Sequence, residues 1–439
     1  MPLTSRTAVQ GRSPGLEALG FLCARHVVLS TARLKAFSAS SSSTMHYAVA
    51  AAIFAAGAHA AAVAPLCARA TSSSSSGGWE TRYTATGTAA VAAAAAATAK
   101  TSSPTSNVKG KAFDRFVIIW NENTDYDKAI GDPNFAWLAK KGITLSNNFA
   151  VTHPSEPNYF ASVSGDYLGM NNDNFNRADR NVSTVFDLLD TQGISWAAYQ
   201  EDMPFSGFEG MAWVKNLSMV YPERSQFHKD LKANKLPQWL FCTPNMTSDG
   251  HDASVTTAGA WNRKFLEPLL EDKNFMNNTL VLVTWDENET YTQKNRILGI
   301  LLGDSIPKEL VGTTDSNFYN HYSELATVEA NWDLPTLGRW DVGANVYKFV
   351  ADKTKSVIRQ WSNTSTVPDR YFNQSYAGFF NSKTAKQYPK PNLALDENAA
   401  GRKILESIKA TWKDSKAPTY YEDTVQVLDG LNPPPGYKA

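Results

Sequence analysis

Three cysteines among 439 residues are too few for a disulfide framework. Cys23 and Cys67 fall in segments expected to be removed or to stay unfolded. That leaves Cys242 alone on an apolar run, where a buried structural thiol is expected. Neither charge sign is in excess: 42 Lys and Arg balance 42 Asp and Glu. The chain therefore has no electrostatic reason to bind nucleic acid or an acidic membrane surface. No apolar run is long enough for a stable membrane insertion, and no repeat of fixed period marks a solenoid or propeller.

What is present divides unevenly. Residues 1–44 hold five Lys or Arg and one acid, Glu17, with much Ser and Ala. Alone they resemble an organelle transit peptide, which keeps a mitochondrial location as an alternative. Met45 then opens a short apolar run closed by small residues (Ala58-His59-Ala60), the pattern of a secretory signal peptide over 45–64. On this reading residues 1–44 are an upstream extension. Asn181, Asn216, Asn245, Asn277, Asn288, Asn363 and Asn373 each begin an Asn-x-Ser/Thr tripeptide. Such acceptors mark surface loops of secreted proteins, so N-linked glycans and a secreted or cell-wall location are expected. Residues 65–108 have too few large apolar groups to fold. From 109 to 439 the chain is continuous and rich in aromatics, one large α/β domain.

Within that domain strand and helix patterns alternate. Strands are expected over 115–120, 195–199, 239–243, 280–285 and 298–302. Helices are expected over 135–141 and 183–190, with Gly142 and Gly193 as glycine caps, then over 261–270 and 324–332. The alternation implies a mostly parallel central sheet with helices on both faces.

The strand 115–120 ends in Asn121-Glu122-Asn123, and the strand 280–285 ends in Asp286-Glu287. In α/β sheets ligands bind beyond the carboxyl ends of strands. Two such acid and amide clusters read as walls of one hard-cation site, or as solvated strand caps. Between them lies Thr152-His153-Pro154-Ser155-Glu156-Pro157-Asn158-Tyr159. Pro157 suits a first helical turn, which puts Ser155 at a helix N-terminus. There it either caps the helix or faces an oxyanion with the dipole behind it. Serine needs a base or a metal to become a strong nucleophile. With no obvious His-Asp partner in sequence, metal coordination is the simpler activation. Oxygen ligands favour a hard divalent ion without singling one out.

Four histidines remain in the folded part: His153, His228, His251 and His321. An Asp249-Gly250 turn projects His251 from a loop after the strand 239–243. His321 precedes the helix 324–332, and His228 reads as a surface residue.

Five motifs in this order resemble the secreted fungal acid phosphatases. They are Asn121-Glu122-Asn123-Thr124-Asp125-Tyr126, the 152–159 octapeptide, Pro244-Asn245-Met246 with Asp249-Gly250-His251-Asp252, Thr284-Trp285-Asp286-Glu287, and Thr336-Leu337-Gly338-Arg339-Trp340-Asp341. These enzymes belong to the phosphoesterase family that also holds bacterial phospholipases C. The resemblance covers about residue 113 onward. It implies an alkaline-phosphatase-like α/β fold and hydrolysis of small phosphomonoesters at mildly acidic pH. It also implies a divalent metal held by Glu122, Asn123, Asp286 and Glu287, and Ser155 as nucleophile. His251 would act at the phosphoryl oxygens or leaving group. Beside that resemblance, His153, Asn158 and His321 are expected as substrate contacts. A phospholipase C-type phosphodiesterase is the alternative within the family. One departure stands out: the family's Tyr-x-Arg-Lys-His-Asn-Pro segment is missing between Lys215 and Phe227. A secreted, non-catalytic protein on the same scaffold therefore remains a further alternative.

Overall fold

The computed structural model describes residues 103–435 apart from 175, 177, 180, 202–219, 362–371, 384, 396–400 and 426. The expected extension and signal peptide lie outside the described residues, as do Asn216, Asn363 and residues 215–219 at the start of the stretch that lacks the cationic segment.

In chain order the elements are β1 (Arg115–Asn121), α1 (Tyr126–Gly131), α2 (Pro133–Ala139), β2 (Ile143–Phe149), α3 (Ser155–Ser164), α4 (Val185–Thr191), β3 (Trp196–Gln200), β4 (Val220–Pro222), α5 (Glu223–Lys232) and β5 (Trp239–Thr243). They continue with α6 (Val255–Glu271), α7 (Lys273–Met276), β6 (Thr279–Trp285), β7 (Arg296–Leu302), β8 (Thr313–Asp315), β9 (Tyr319–Asn320), α8 (His321–Trp332), α9 (Lys348–Thr354) and α10 (Glu406–Trp412).

The strands form one sheet in the order β4-β3-β5-β1-β6-β7-β2-β8, with β9 also on β2. All neighbours are parallel except β7, antiparallel to both β6 and β2. Its direction follows from chain length. A parallel return needs a crossover of a dozen or more residues, and only residues 286–295 separate β6 from β7. With β7 reversed, β2 again points the same way as β1 and β6.

Alternation along β1 builds the layers. Phe116, Ile118 and Trp120 enter one core, which also takes Phe160 and Val163 of α3 and Tyr322 and Leu325 of α8. Val117 and Ile119 enter the other, with Leu138 of α2 and Leu266 of α6. The protein is an α/β fold with helices on both faces of a mostly parallel sheet. β2 was not anticipated, because Ser146-Asn147-Asn148 interrupts its apolar pattern. The unfolded segment expected to reach residue 108 ends sooner. Ser106 Oγ donates to Gln238 Oε1 at 2.6 Å, and Gln238 Nε2 donates to the Val108 carbonyl at 2.7 Å. A buried carboxamide thus satisfies backbone that composition alone left without partners.

Candidate active site

The central strands β5, β1 and β6 run parallel and in register, Ile119 beside both Cys242 and Val283, and Asn121 beside Trp285. Their carboxyl ends therefore share one edge of the sheet, where the Asp286 N–H donates to the Asn121 carbonyl at 3.1 Å and the Glu122 N–H to the Asp249 carbonyl at 3.0 Å. β2 ends on that edge too and leads through residues 150–154 into α3, which begins at Ser155.

Ser155 Oγ lies 3.1 Å from Glu122 Oε2, 3.4 Å from Asn123 Oδ1 and 3.4 Å from Glu287 Oε1. The two strand-end clusters and the serine thus converge on one spot. Asn123 adopts a positive φ of 30°, a region tolerated by Asn, while its N–H donates to Asp286 Oδ1 at 3.2 Å. Tyr159, one helical turn after Ser155, donates its hydroxyl to Glu122 Oε1. Glu122, Asp286 and Glu287 are all buried. Burial, and then repulsion from one another, raises all three carboxyls; Asp286 is pushed up to about 8. Asp286 Oδ2 and Glu287 Oε2 are buried without a hydrogen-bond partner.

Oxygen donors crowded and left uncompensated in this way fit a hard divalent cation. The donors are not arranged as a closed cage: among the described residues no group of three or more His, Cys, Asp or Glu stands ready to enclose a metal. Asn123 and Ser155 would have to complete the set.

The histidines take different places. His153 is buried, and its Nε2 lies 2.9 Å from Asn373 Oδ1 and 3.1 Å from Asn288 Oδ1. Its Nδ1 is 2.7 Å from Glu287 Oε2, out of line for a hydrogen bond. Burial pushes His153 down to about 4, against the opposing effect of the two carboxamides. The Tyr291 ring covers it at 3.8 Å. His251 is partly exposed on the β5 loop, with Nδ1 2.8 Å from Asp252 Oδ1. Burial lowers its pKa, but Asp252 and the negative charge of Glu122 outweigh that and raise it.

His321 and Asn158 do not offer free polar groups to a substrate. His321 is buried against Trp120, and its Nε2 donates to the Asp286 carbonyl at 2.7 Å. It braces the end of β6 from behind. Asn158 Oδ1 accepts from the N–H groups of Val151 and Thr152, and its Nδ2 donates to the carbonyls of Thr152 and Pro154. All its hydrogen bonds go to the loop that presents Ser155. Both residues serve the site as supports.

Sequence reasoning missed Tyr159, Asp249, Asp173 and Tyr291. Asp249 is raised by burial to about 6, and Asp173 lies close enough to His251 and Glu287 to affect both. Tyr159 and Asp249 carried a signal, the first in its spacing of four from Ser155 and the second in the turn that projects His251. Asn288 and Asn373, read as glycan acceptors, are buried inside the site. Thr290 of the first tripeptide bonds Asp125, and Ser375 of the second donates to the Met170 carbonyl at 2.6 Å. Both tripeptides are scaffold, which corrects the surface reading for them.

Residues 132–335 match the sequence profile described as the Phosphoesterase family. A probable acid phosphatase of Kluyveromyces lactis is 47% identical over 353 residues, 74% of this chain and 82% of that protein. The chain belongs to the phosphoesterase family. As a member it is an enzyme, a phosphoric ester hydrolase. An acid phosphatase of Aspergillus fumigatus is 45% identical over 346 residues, 72% of this chain and 76% of that one. A solved protein of the alkaline phosphatase superfamily from Vibrio parahaemolyticus superposes with a TM-score of 0.39 at 12% identity, over 53% of this chain and 68% of that chain. No helix among the described residues of this phosphoesterase is long and apolar enough to cross a membrane.

Proposed function

We propose that the protein is a secreted or cell-wall acid phosphatase that hydrolyses small phosphomonoesters through Ser155. The observation that supports this most is the placement of Ser155 Oγ, at the first residue of α3 and within 3.4 Å of oxygens from both β1 and β6 loops. Glu122, Asn123, Asp286 and Glu287 would hold a divalent cation, with Ser155 beside them. Bound there, it would lower the serine pKa and neutralise phosphoryl charge. Ser155 Oγ, having released its proton to solvent, bonds phosphorus as the P–O bond to the leaving group breaks. His251, protonated at acid pH, gives a proton to the departing oxygen. A water then attacks the phosphoserine, His251 takes one of its protons, Ser155 leaves as the alkoxide and inorganic phosphate is released. The dipole at the start of α3 favours the anion at this position, while the Glu156 N–H is taken by Asp173 Oδ1 at 2.9 Å.

The test is hydrolysis of p-nitrophenyl phosphate at acid pH by the full chain, before and after chelation, beside Ser155→Ala. Turnover should depend on the cation and fall roughly 10³-fold or more in the variant. If the parent is inactive, the comparison moves to a chain with the family's cationic segment restored between Lys215 and Phe227. A variant as fast as its parent removes Ser155 from the chemistry.

A further inference from the structure

The ring of His153 is held by two asparagines from distant parts of the chain, and each can present only one face to it. Asn373 spends its Nδ2 on the carbonyls of Tyr291 and Gln293. Asn288 spends its Nδ2 on Asp125 Oδ1 at 3.1 Å and on the Thr290 carbonyl at 2.9 Å. Their amide orientations are therefore fixed by acceptors that need a donor. Both carboxamide oxygens must then point at His153 Nε2, and an atom facing two acceptors must carry hydrogen. The same restraint sets the ring plane and leaves Nδ1 2.7 Å from Glu287 Oε2. Glu287 in turn offers its other oxygen, Oε1, to Ser155.

Asn373 does not stand alone. Two residues on, Ser375 Oγ lies 2.6 Å from Thr152 Oγ1, next to His153 in the loop that leads to Ser155. Residues 372–376 thus form a strap behind the site, contributed by the part of the chain beyond the 132–335 family match.

We propose that Asn373 is a positioning residue for the reaction: with Asn288 it holds His153 with hydrogen on Nε2 and the ring beside Glu287. It acts through His153 and touches neither substrate nor the serine. The inference deepens the Ser155 reading and rests on it for its kinetic consequence, though the ring restraint can be read without any turnover.

The experiment uses the full chain labelled with ¹⁵N-histidine, with His153 assigned by its loss in His153→Gln. In the parent, long-range ¹H–¹⁵N correlation should show a single His153 species with hydrogen on Nε2. In Asn373→Ala the His153 signals should broaden or split between tautomers. The kcat for p-nitrophenyl phosphate should fall on the order of 10- to 100-fold while KM holds within about twofold, the scale of loss on removing a supporting hydrogen bond. Asn373→Ser gives the same reading as alanine if the alanine variant does not fold. The proposal is overturned if the folded alanine or serine variant keeps the parent His153 pattern and turnover. Should Ser155→Ala stay active while the Asn373 variants alter His153 as expected, the serine reading falls and the positioning role stands.

Discussion

Asp286 shows how the site's residues bear on stability. Its carboxyl is raised by burial and by Glu287 to about 8, against an ordinary value near 4. Between those values the folded protein binds a proton that the unfolded chain has released. Without cation, this group's stabilising contribution is complete below about pH 4 and declines as pH rises toward 8. A divalent cation competes with that proton, so its stabilising effect should grow with pH. Thermal melts after chelation should show Tm falling between pH 5 and pH 8, and added Mg²⁺ or Zn²⁺ should raise Tm more at pH 8 than at pH 5. A cation effect that is equal at both, or absent, would count against these carboxyls as its ligands. The buried asparagines give a second residue-scale expectation. If the protein passes through a glycosylating pathway, peptide mass spectrometry should find glycan at exposed Asn181 and Asn277 and none at Asn288 or Asn373. Glycan on Asn373 in active protein would be incompatible with the strap behind His153.

Individual elements show which parts of the fold were legible in sequence. β1, β5 and β6 matched their expected ranges within a residue or so, because continuous β-branched and aromatic runs admit no helical reading at that length. Their acid-rich ends pointed to the site through the rule that ligands lie beyond strand termini. Gly193 sits at φ 65° after α4, the left-handed cap expected of it. Gly142 does not have a positive φ. A Cβ there would stand 1.8 Å from the Leu301 carbonyl oxygen, so close approach of β7 requires the glycine. That reason was invisible in sequence, since β2 and its antiparallel neighbour had not been paired. The supporting roles of His321 and Asn158 were equally hidden, because a short motif does not say which side chains face the ligand and which face the backbone. A clasp at the end of α3 is another such feature. Buried Asp166 accepts from the hydroxyls of Tyr376, Tyr420 and Tyr421, the last at 2.7 Å, which ties the C-terminal region to the helix carrying Ser155. Tyr421→Phe removes one bond to a buried carboxylate and should cost about 1.5–3 kcal/mol. Urea unfolding measures it, and an unchanged midpoint would mean that the hydroxyl holds nothing.

Taken whole, the molecule assembles one edge of a sheet from distant pieces of chain. β1, β2, β5 and β6 deliver Glu122 and Asn123, Ser155, His251, and Asp286 and Glu287 to it, and the strap 372–376 closes in behind. Family resemblance and sheet topology agree on that edge by independent routes. The account's central claim is that the phosphoryl group passes through Ser155 Oγ. Acid quenching of the enzyme during turnover of a phosphomonoester, followed by peptide mass spectrometry, tests it most directly. The account predicts one phosphoryl group on the peptide containing Ser155, present with substrate, absent without it and absent from Ser155→Ala. Sustained turnover by the parent with no phosphoryl group on that peptide, or a Ser155→Ala variant that retains the parent's rate, would contradict it.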